Sequence, residues 1–177
     1  MRVVAGRLRG KSILGPNEAN KTIRPTSDRA KEALFSFLRP YPKGSFLDLC
    51  SGSGSMALEA YSRGYEAIVA IDNDPDAINL IRLNCGEYPV DIIRHDIFNI
   101  KELKLSKYDV VFLDPPYEQI SKYWEKISFC IPELLNEGGL FILESDESFI
   151  PVNSVDISLL KTKNYGRNHF HIFTRNS

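Results

Sequence analysis

The chain has 177 residues, 43% of them hydrophobic, 11% aromatic and 25% charged. This is the profile of one globular domain, and it excludes a disordered chain, a collagen-like repeat and a disulfide scaffold. The formal net charge of −1 hides a segregation: residues 1–43 hold 10 Lys+Arg and 3 Asp+Glu, residues 44–160 hold 8 and 20, and residues 161–177 hold 4 and none. Two basic ends around an acidic body point to a polyanion gripped by the termini.

In chain order, residues 2–5 and 11–14 read as two short strands around a Gly/Arg turn, followed by an irregular stretch from Gly15 to Thr22. Thr26 or Ser27 then caps a helix through Leu38, whose apolar face is Ala30, Ala33, Leu34, Phe37 and Leu38. Pro40, Pro42 and Gly44 end it, and the boundary between an N-terminal extension (1–43) and the main body (44–177) is placed there. The body alternates. Strands are expected at 46–49, 67–71, 90–94, 108–113 and 140–143, with helices at 55–62, 75–85 and about 121–135, the last closed by Gly138-Gly139. Strands separated by helices, several of them unbroken apolar runs, predict a mostly parallel sheet covered on both faces. Residues 152–160 and 168–174 are β-like without an intervening helix, so the sheet is expected to finish in an antiparallel hairpin.

Cys50, Cys85 and Cys130 are odd in number and show no C-x-x-C spacing. They read as small buried apolar side chains in a reducing cytoplasm, without metal or disulfide. No apolar run approaches the roughly 18 residues that span a membrane. The Arg-rich start, acid-free up to Glu18, has no signal-peptide core, and its glycine punctuation fits a hairpin better than an organelle transit peptide.

The first strand of the body runs into Asp48-Leu-Cys-Ser-Gly52-Ser-Gly54-Ser-Met-Ala57 and then a helix. Ligands of α/β sheets sit beyond the carboxyl ends of the strands, where a glycine turn admits a ligand to the backbone and to helix N-terminal amides. Asp72 ends the next strand, 20 residues after Gly52, where a carboxylate can accept both hydroxyls of an adenosine ribose. Both NAD and S-adenosylmethionine satisfy this pair. Asp96 follows the third strand, placed to accept from an adenine amino group while the Ile97 amide faces the ring; a helix cap is its plainer reading.

Asp114-Pro115-Pro116-Tyr117 follows the fourth strand. Two prolines stiffen the backbone and remove two donors. An acidic side chain beside bare carbonyls makes a fork suited to an exocyclic amine, and Tyr117 offers a face on which a flipped-out base can stack. Methylation of a nucleobase amine needs this, with the barrier lowered mainly by alignment of nitrogen, methyl carbon and sulfur. An oxidoreductase has no use for the tetrapeptide.

Here the sequence resembles the amino-group branch of the Rossmann-like S-adenosylmethionine methyltransferases, which carry an (Asp/Asn/Ser)-Pro-Pro-aromatic motif. Arg7-Leu-Arg-Gly-Lys11, Ile23-Arg-Pro-Thr-Ser-Asp-Arg-Ala-Lys-Glu-Ala-Leu-Phe35 and the closing Lys163-Asn-Tyr-Gly-Arg-Asn-His-Phe-His-Ile-Phe173 resemble the RsmD family, nearly end to end. The resemblance implies methylation of guanine N2 in bacterial 16S ribosomal RNA, on the small subunit or an assembly intermediate. It places Gly52, Gly54, Asp72 and Asp96 around S-adenosylmethionine and Asp114 and Tyr117 at the target base; Pro115 on the catalytic side, and Asp48, Ser53, Asn73, Ile97 and Asp114 on the cofactor side, complete the candidate site. It departs in Cys50-Ser51, where Phe-Ala is commoner, and in Asp72, where Glu is frequent.

Arg2, Arg7, Arg9, Lys11, Arg24, Lys163 and Arg167 are the candidate RNA-binding residues. The resemblance also implies that Arg24 or Thr26 lies near the cofactor's methionine carboxylate. Tyr123 and Trp124 could flank the base or pack a helix. The three histidines lack metal-ligand spacing, and a monomer is expected. A DNA adenine-N6 or cytosine-N4 methyltransferase and a non-catalytic RNA-binding module are the competing readings; the chain leaves no room for a separate DNA-recognition domain.

Overall fold

A computed structural model describes residues 1–15, 26–146, 149, 151 and 156–176. The apolar runs form β1 (Ser45–Leu49), β2 (Ala67–Asp72), β3 (Val90–Arg94), β4 (Tyr108–Leu113), β5 (Leu135–Ser145), β6 (Ile157–Tyr165) and β7 (Asn168–Arg175). They make one sheet in the order β3-β2-β1-β4-β5-β7-β6. The first five run parallel, and β7 lies antiparallel between β5 and β6. The sheet order reverses between β1 and β4, so the loops after them diverge and open a crevice at the carboxyl edge.

Three helices cover one face. Ser27 caps α1 (Asp28–Phe37) by accepting from the Ala30 amide; Asp74 caps α3 (Pro75–Cys85), with Pro75 in its first turn. Between them, α2 (Ser55–Ser62) begins at Gly54 in the left-handed region. Period-two alternation sends Phe46, Ile68, Val110 and Phe112 toward this layer, against Leu34, Phe35, Leu58, Ile78 and Ile81. Leu47, Leu49, Val111 and Leu113 face the other way, onto α4 (Ile120–Ile127), α5 (Ile131–Leu134) and a 3-10 turn at Ile97–Glu102. The sheet therefore has an apolar layer on both sides, as its continuous hydrophobic strands require.

Three expected elements are corrected. The N-terminal segment has a single antiparallel bridge, Arg2 to Ser12, rather than two strands. Its middle amides are diverted: Val4 and Ala5 donate at 2.7 and 3.1 Å to the buried Glu59 of α2. Val3 and Ile13 join the same core as α1 and the sheet. The helix expected over 121–135 is interrupted at Ser128–Cys130, because Pro132 has no amide to continue the ladder. β5 starts at Leu135, with Gly138 at φ +71 and a pairing irregularity opposite Tyr108 and Val110. The closing hairpin is present as β6 and β7; of the strand expected over 152–160, residues 152–155 lie outside the described residues.

Candidate active site

The loops after β1, β2 and β4 are stitched together at the carboxyl edge. The Ser51 amide donates to the Ile71 carbonyl at 3.0 Å, and the Asp114 amide reaches the Leu49 carbonyl at 3.5 Å. Between them lies a cavity of about 450 Å³, within the size range of small-molecule sites. Asp48, Gly52, Ser53, Asp72, Asn73, Asp114, Pro115 and Tyr117 all line it. The sequence had placed each of these at the site, and the fold brings them together from three strand ends.

The glycine loop is held from below. The Asp48 carboxylate is buried and accepts from Ser51 Oγ at 2.6 Å and from the Ala57 amide at 3.1 Å. Burial outweighs those bonds and pushes its carboxyl up to about 7. Cys50 adopts φ +59 although it is not glycine, and Gly52 and Gly54 take φ +56 and +75. Asn84 of α3 donates to the Ser53 carbonyl at 2.8 Å and clasps Leu14 through both its amide and its carbonyl, tying the loop to the N-terminal segment. Gly54 lies behind the lining, where an added Cβ would come 2.7 Å from Cys85 Sγ.

Asp72 binds the loop as well as closing β2. Its carboxylate accepts from the Gly52 amide at 2.8 Å and the Asp74 amide at 3.0 Å, and burial raises its pKa. Asp96 and Ile97 are not among the lining residues. The Asp96 carboxylate caps the following 3-10 turn through the Phe98 amide at 3.0 Å, and Ile97 is buried in the core. Phe98 itself reaches the cavity, packed at 4.6 Å on the ring of Tyr123, which also lines it. Trp124 turns away, 4.9 Å from Phe173. Met56, Ala77, Gln119 and Lys122 complete much of the wall. No local pattern marked them, because each reaches the cavity only through the packing of its element.

On the far side, Thr26 lines the cavity and donates at 3.3 Å to Glu144, a buried carboxyl that burial pushes up to about 7. Arg24 lies outside the described residues. Among the described basic residues, Lys163 sits with its Nζ 5.9 Å from the Phe37 ring and Arg167 is exposed in the β6–β7 turn. Glu144 pairs with Phe170 in register, so this turn projects from the same edge as the cavity. Arg2 pairs with Asp28 at 2.9 Å. Arg7 stacks 4.1 Å over Tyr61 at the opposite end of α2, about 9 Å of helix from Ser55. Arg9 is exposed, and Lys11 lies 5.3 Å from the Tyr88 ring.

A nucleoside cofactor fits this donor set: backbone close to the cavity at Gly52, a carboxylate at the end of β2, and two aromatic rings in the wall. Among the described residues, no three His, Cys, Asp or Glu side chains are grouped to hold a metal ion, and no helix is long and apolar enough to cross a membrane.

The sheet order and the loop geometry define a Rossmann-like methyltransferase fold. An Escherichia coli structure, yhhF, superposes with a TM-score of 0.83 at 25% identity, over 99% of this chain and 97% of that one. At the level of fold alone, an RNA methyltransferase from Salinibacter ruber, solved with S-adenosyl-L-homocysteine, matches with a TM-score of 0.64 at 21% identity, over 84% and 92%. The profile of the family described as "Conserved hypothetical protein 95" matches residues 1–174. "Ribosomal RNA small subunit methyltransferase D" of Haemophilus influenzae is 30% identical over 94% of this chain and 89% of its own length. The chain belongs to this family, the RsmD methyltransferases.

Proposed function

We propose that the protein transfers a methyl group from S-adenosylmethionine to the exocyclic N2 amine of a guanine in 16S ribosomal RNA, in the small subunit or an assembly intermediate, as a cytoplasmic monomer. The observation that carries this reading is that Asp114-Pro115-Pro116-Tyr117 lines the same cavity as the glycine loop and Asp72. A nucleoside pocket and an amine-binding fork thus share one enclosure.

The bound cofactor supplies an electrophilic methyl carbon; the chain supplies position. The Gly52 turn and the Asp72 carboxylate hold the nucleoside, with the Phe98 and Tyr123 rings against its base. Asp114 accepts from the target amine and fixes its nitrogen toward the methyl carbon, while Tyr117 stacks on the flipped guanine. Asp96 and Ile97 act on this pocket through the turn that presents Phe98. Residues 1–43 form the RNA-binding extension. Lys163 and Arg167 meet phosphates beside the cavity, Arg7 at the far end of α2 extends the grip away from it, and Arg2, Arg9, Lys11 and Arg24 add further phosphate contacts.

Asp114→Ala tests the reading. It is expected to lose methyl transfer to 30S particles at least a hundredfold, and Tyr117→Ala to lose transfer while keeping S-adenosylmethionine binding by calorimetry. Near-normal transfer would sink the assigned role of the tetrapeptide. Nucleoside mass spectrometry of 16S rRNA, with and without the gene, decides the base.

A further inference from the structure

Lys31 of α1 has no part in the scheme above, and its side chain is completely buried. A lysine is almost never enclosed without partners, because its ammonium must leave water. Here three parts of the chain receive it. The Nζ donates to the Arg2 carbonyl at 2.6 Å and to Ser55 Oγ at 3.2 Å, and an Asp28 carboxylate oxygen stands 3.8 Å away. Ser55 opens α2 directly after Gly54, is itself 5% exposed and lines the cofactor cavity.

The polarity of the Lys31–Ser55 bond is fixed by chemistry. An ammonium has donors and no acceptor, so the Ser55 oxygen accepts and its own proton must point elsewhere. Among the described residues that proton meets no acceptor. A hydroxyl that accepts from a cation is also a stronger donor, since chained hydrogen bonds polarise one another. The cavity wall therefore carries a strengthened donor with a proton to give. S-adenosylmethionine offers it one anionic group, the carboxylate of its methionine end. In the scheme above the nucleoside end belongs to Asp72 and to the Phe98 and Tyr123 rings. Ser55 is tied instead to α1, the helix that Thr26 precedes.

We propose that Ser55 binds the methionine carboxylate of the cofactor through its hydroxyl proton, and that Lys31 is the positioning residue that turns this proton toward the cavity. The inference rests on the reading that the glycine loop and Asp72 hold the nucleoside. The buried ammonium also stands behind the hydroxyl as a positive charge, where low dielectric strengthens its attraction for an anion.

Calorimetry compares S-adenosylmethionine with its decarboxylated form, which lacks only the carboxylate. Wild type is expected to prefer S-adenosylmethionine at least tenfold. Ser55→Ala and Lys31→Met are each expected to weaken S-adenosylmethionine roughly tenfold, the scale of one hydrogen bond to a charged group. Neither is expected to change the Kd of the decarboxylated cofactor. The double variant is expected to bind S-adenosylmethionine no more weakly than the weaker single. A loss shared equally by both cofactors marks a merely structural role and overturns the proposal. Full affinity in Ser55→Ala, or additive losses in the double variant, overturns it too. Should Lys31→Met not fold, the nitrogen resonance of the Lys31 ammonium in wild type decides its part. It is expected to shift with S-adenosylmethionine and to stay with the decarboxylated form; an equal response to both refutes the positioning role. A wild type that binds neither cofactor sinks the nucleoside reading as well, whereas one that binds both equally sinks only the carboxylate contact.

Discussion

Gly54→Ala tests whether the cofactor loop owes its shape to close packing. Gly54 takes φ +75, where an L-residue costs about 1–2 kcal/mol. Its new Cβ would stand 2.7 Å from Cys85 Sγ and 3.3 Å from Ile81 Cγ2, both on α3. Forcing a methyl into a packed layer costs about 1–3 kcal/mol, offset by roughly 0.4–1 kcal/mol from the stiffer unfolded chain. The net loss expected is about 3 kcal/mol, read as a lower urea midpoint at constant slope. Cys85→Ala removes the blocking sulfur. The double variant should therefore be more stable than the sum of the singles by about 1–2 kcal/mol, leaving the backbone cost. Cofactor affinity should fall in Gly54→Ala, because the turn carrying Gly52 and Ser53 must shift. A loss below about 1 kcal/mol, or strictly additive singles, refutes the close-approach argument.

Burial favours the neutral form of Asp48 in the fold, raising its carboxyl from 3.8 to about 7. Its contribution to stability is then full below about pH 4 and is lost as pH rises through about 7. The stability of wild type relative to Asp48→Asn should fall across that window by at most about 4 kcal/mol; a difference that stays flat from pH 4 to 8 would exclude the buried carboxyl. Glu59→Gln keeps one oxygen but turns an amide NH₂ either toward the Val4 amide or toward the Ala5 amide and Arg63, at an expected cost of about 2 kcal/mol. It should speed hydrogen exchange at the Val4 and Ala5 amides, and unaltered exchange there would show that Glu59 does not hold the N-terminal segment. Replacing Arg7, Arg9 and Lys11 together with Ala should reduce the log–log salt slope of RNA binding by up to about 2; an unchanged slope removes this arm from the interface.

What could be read along the chain were features whose cause is local. The apolar runs that became β1 to β4 were visible because a strand buried on both faces needs them. Gly52 and Gly54 were visible because positive φ restricts residue type, and Asp72 and Asp114 because they sit at strand ends. The N-terminal strands were misread because the amides of Val4 and Ala5 leave the hairpin for Glu59, 55 and 54 residues away. Phe98 was passed over for its neighbours Asp96 and Ile97. All three share one short turn, and only packing against Tyr123 decides which side chain reaches the cavity. The cap at Asp96 was legible as an option, since a carboxylate two residues ahead of an amide can always close such a turn.

By itself the sequence determined the alternation of strand and helix, the glycine turn, the acidic strand ends, the proline-stiffened loop and the basic termini. Each follows from torsional preference, hydrophobic period or charge within a few residues. Only the tertiary structure decided the rest: that Asn84 clasps the glycine loop, that Phe98 and Tyr123 form one wall, and that Glu144 gathers Thr26 and Asn168. The physical reason is distance along the chain. Thr26 and Glu144 are separated by 118 residues, and a buried acceptor's partners are chosen by how the sheet folds, which no local pattern encodes.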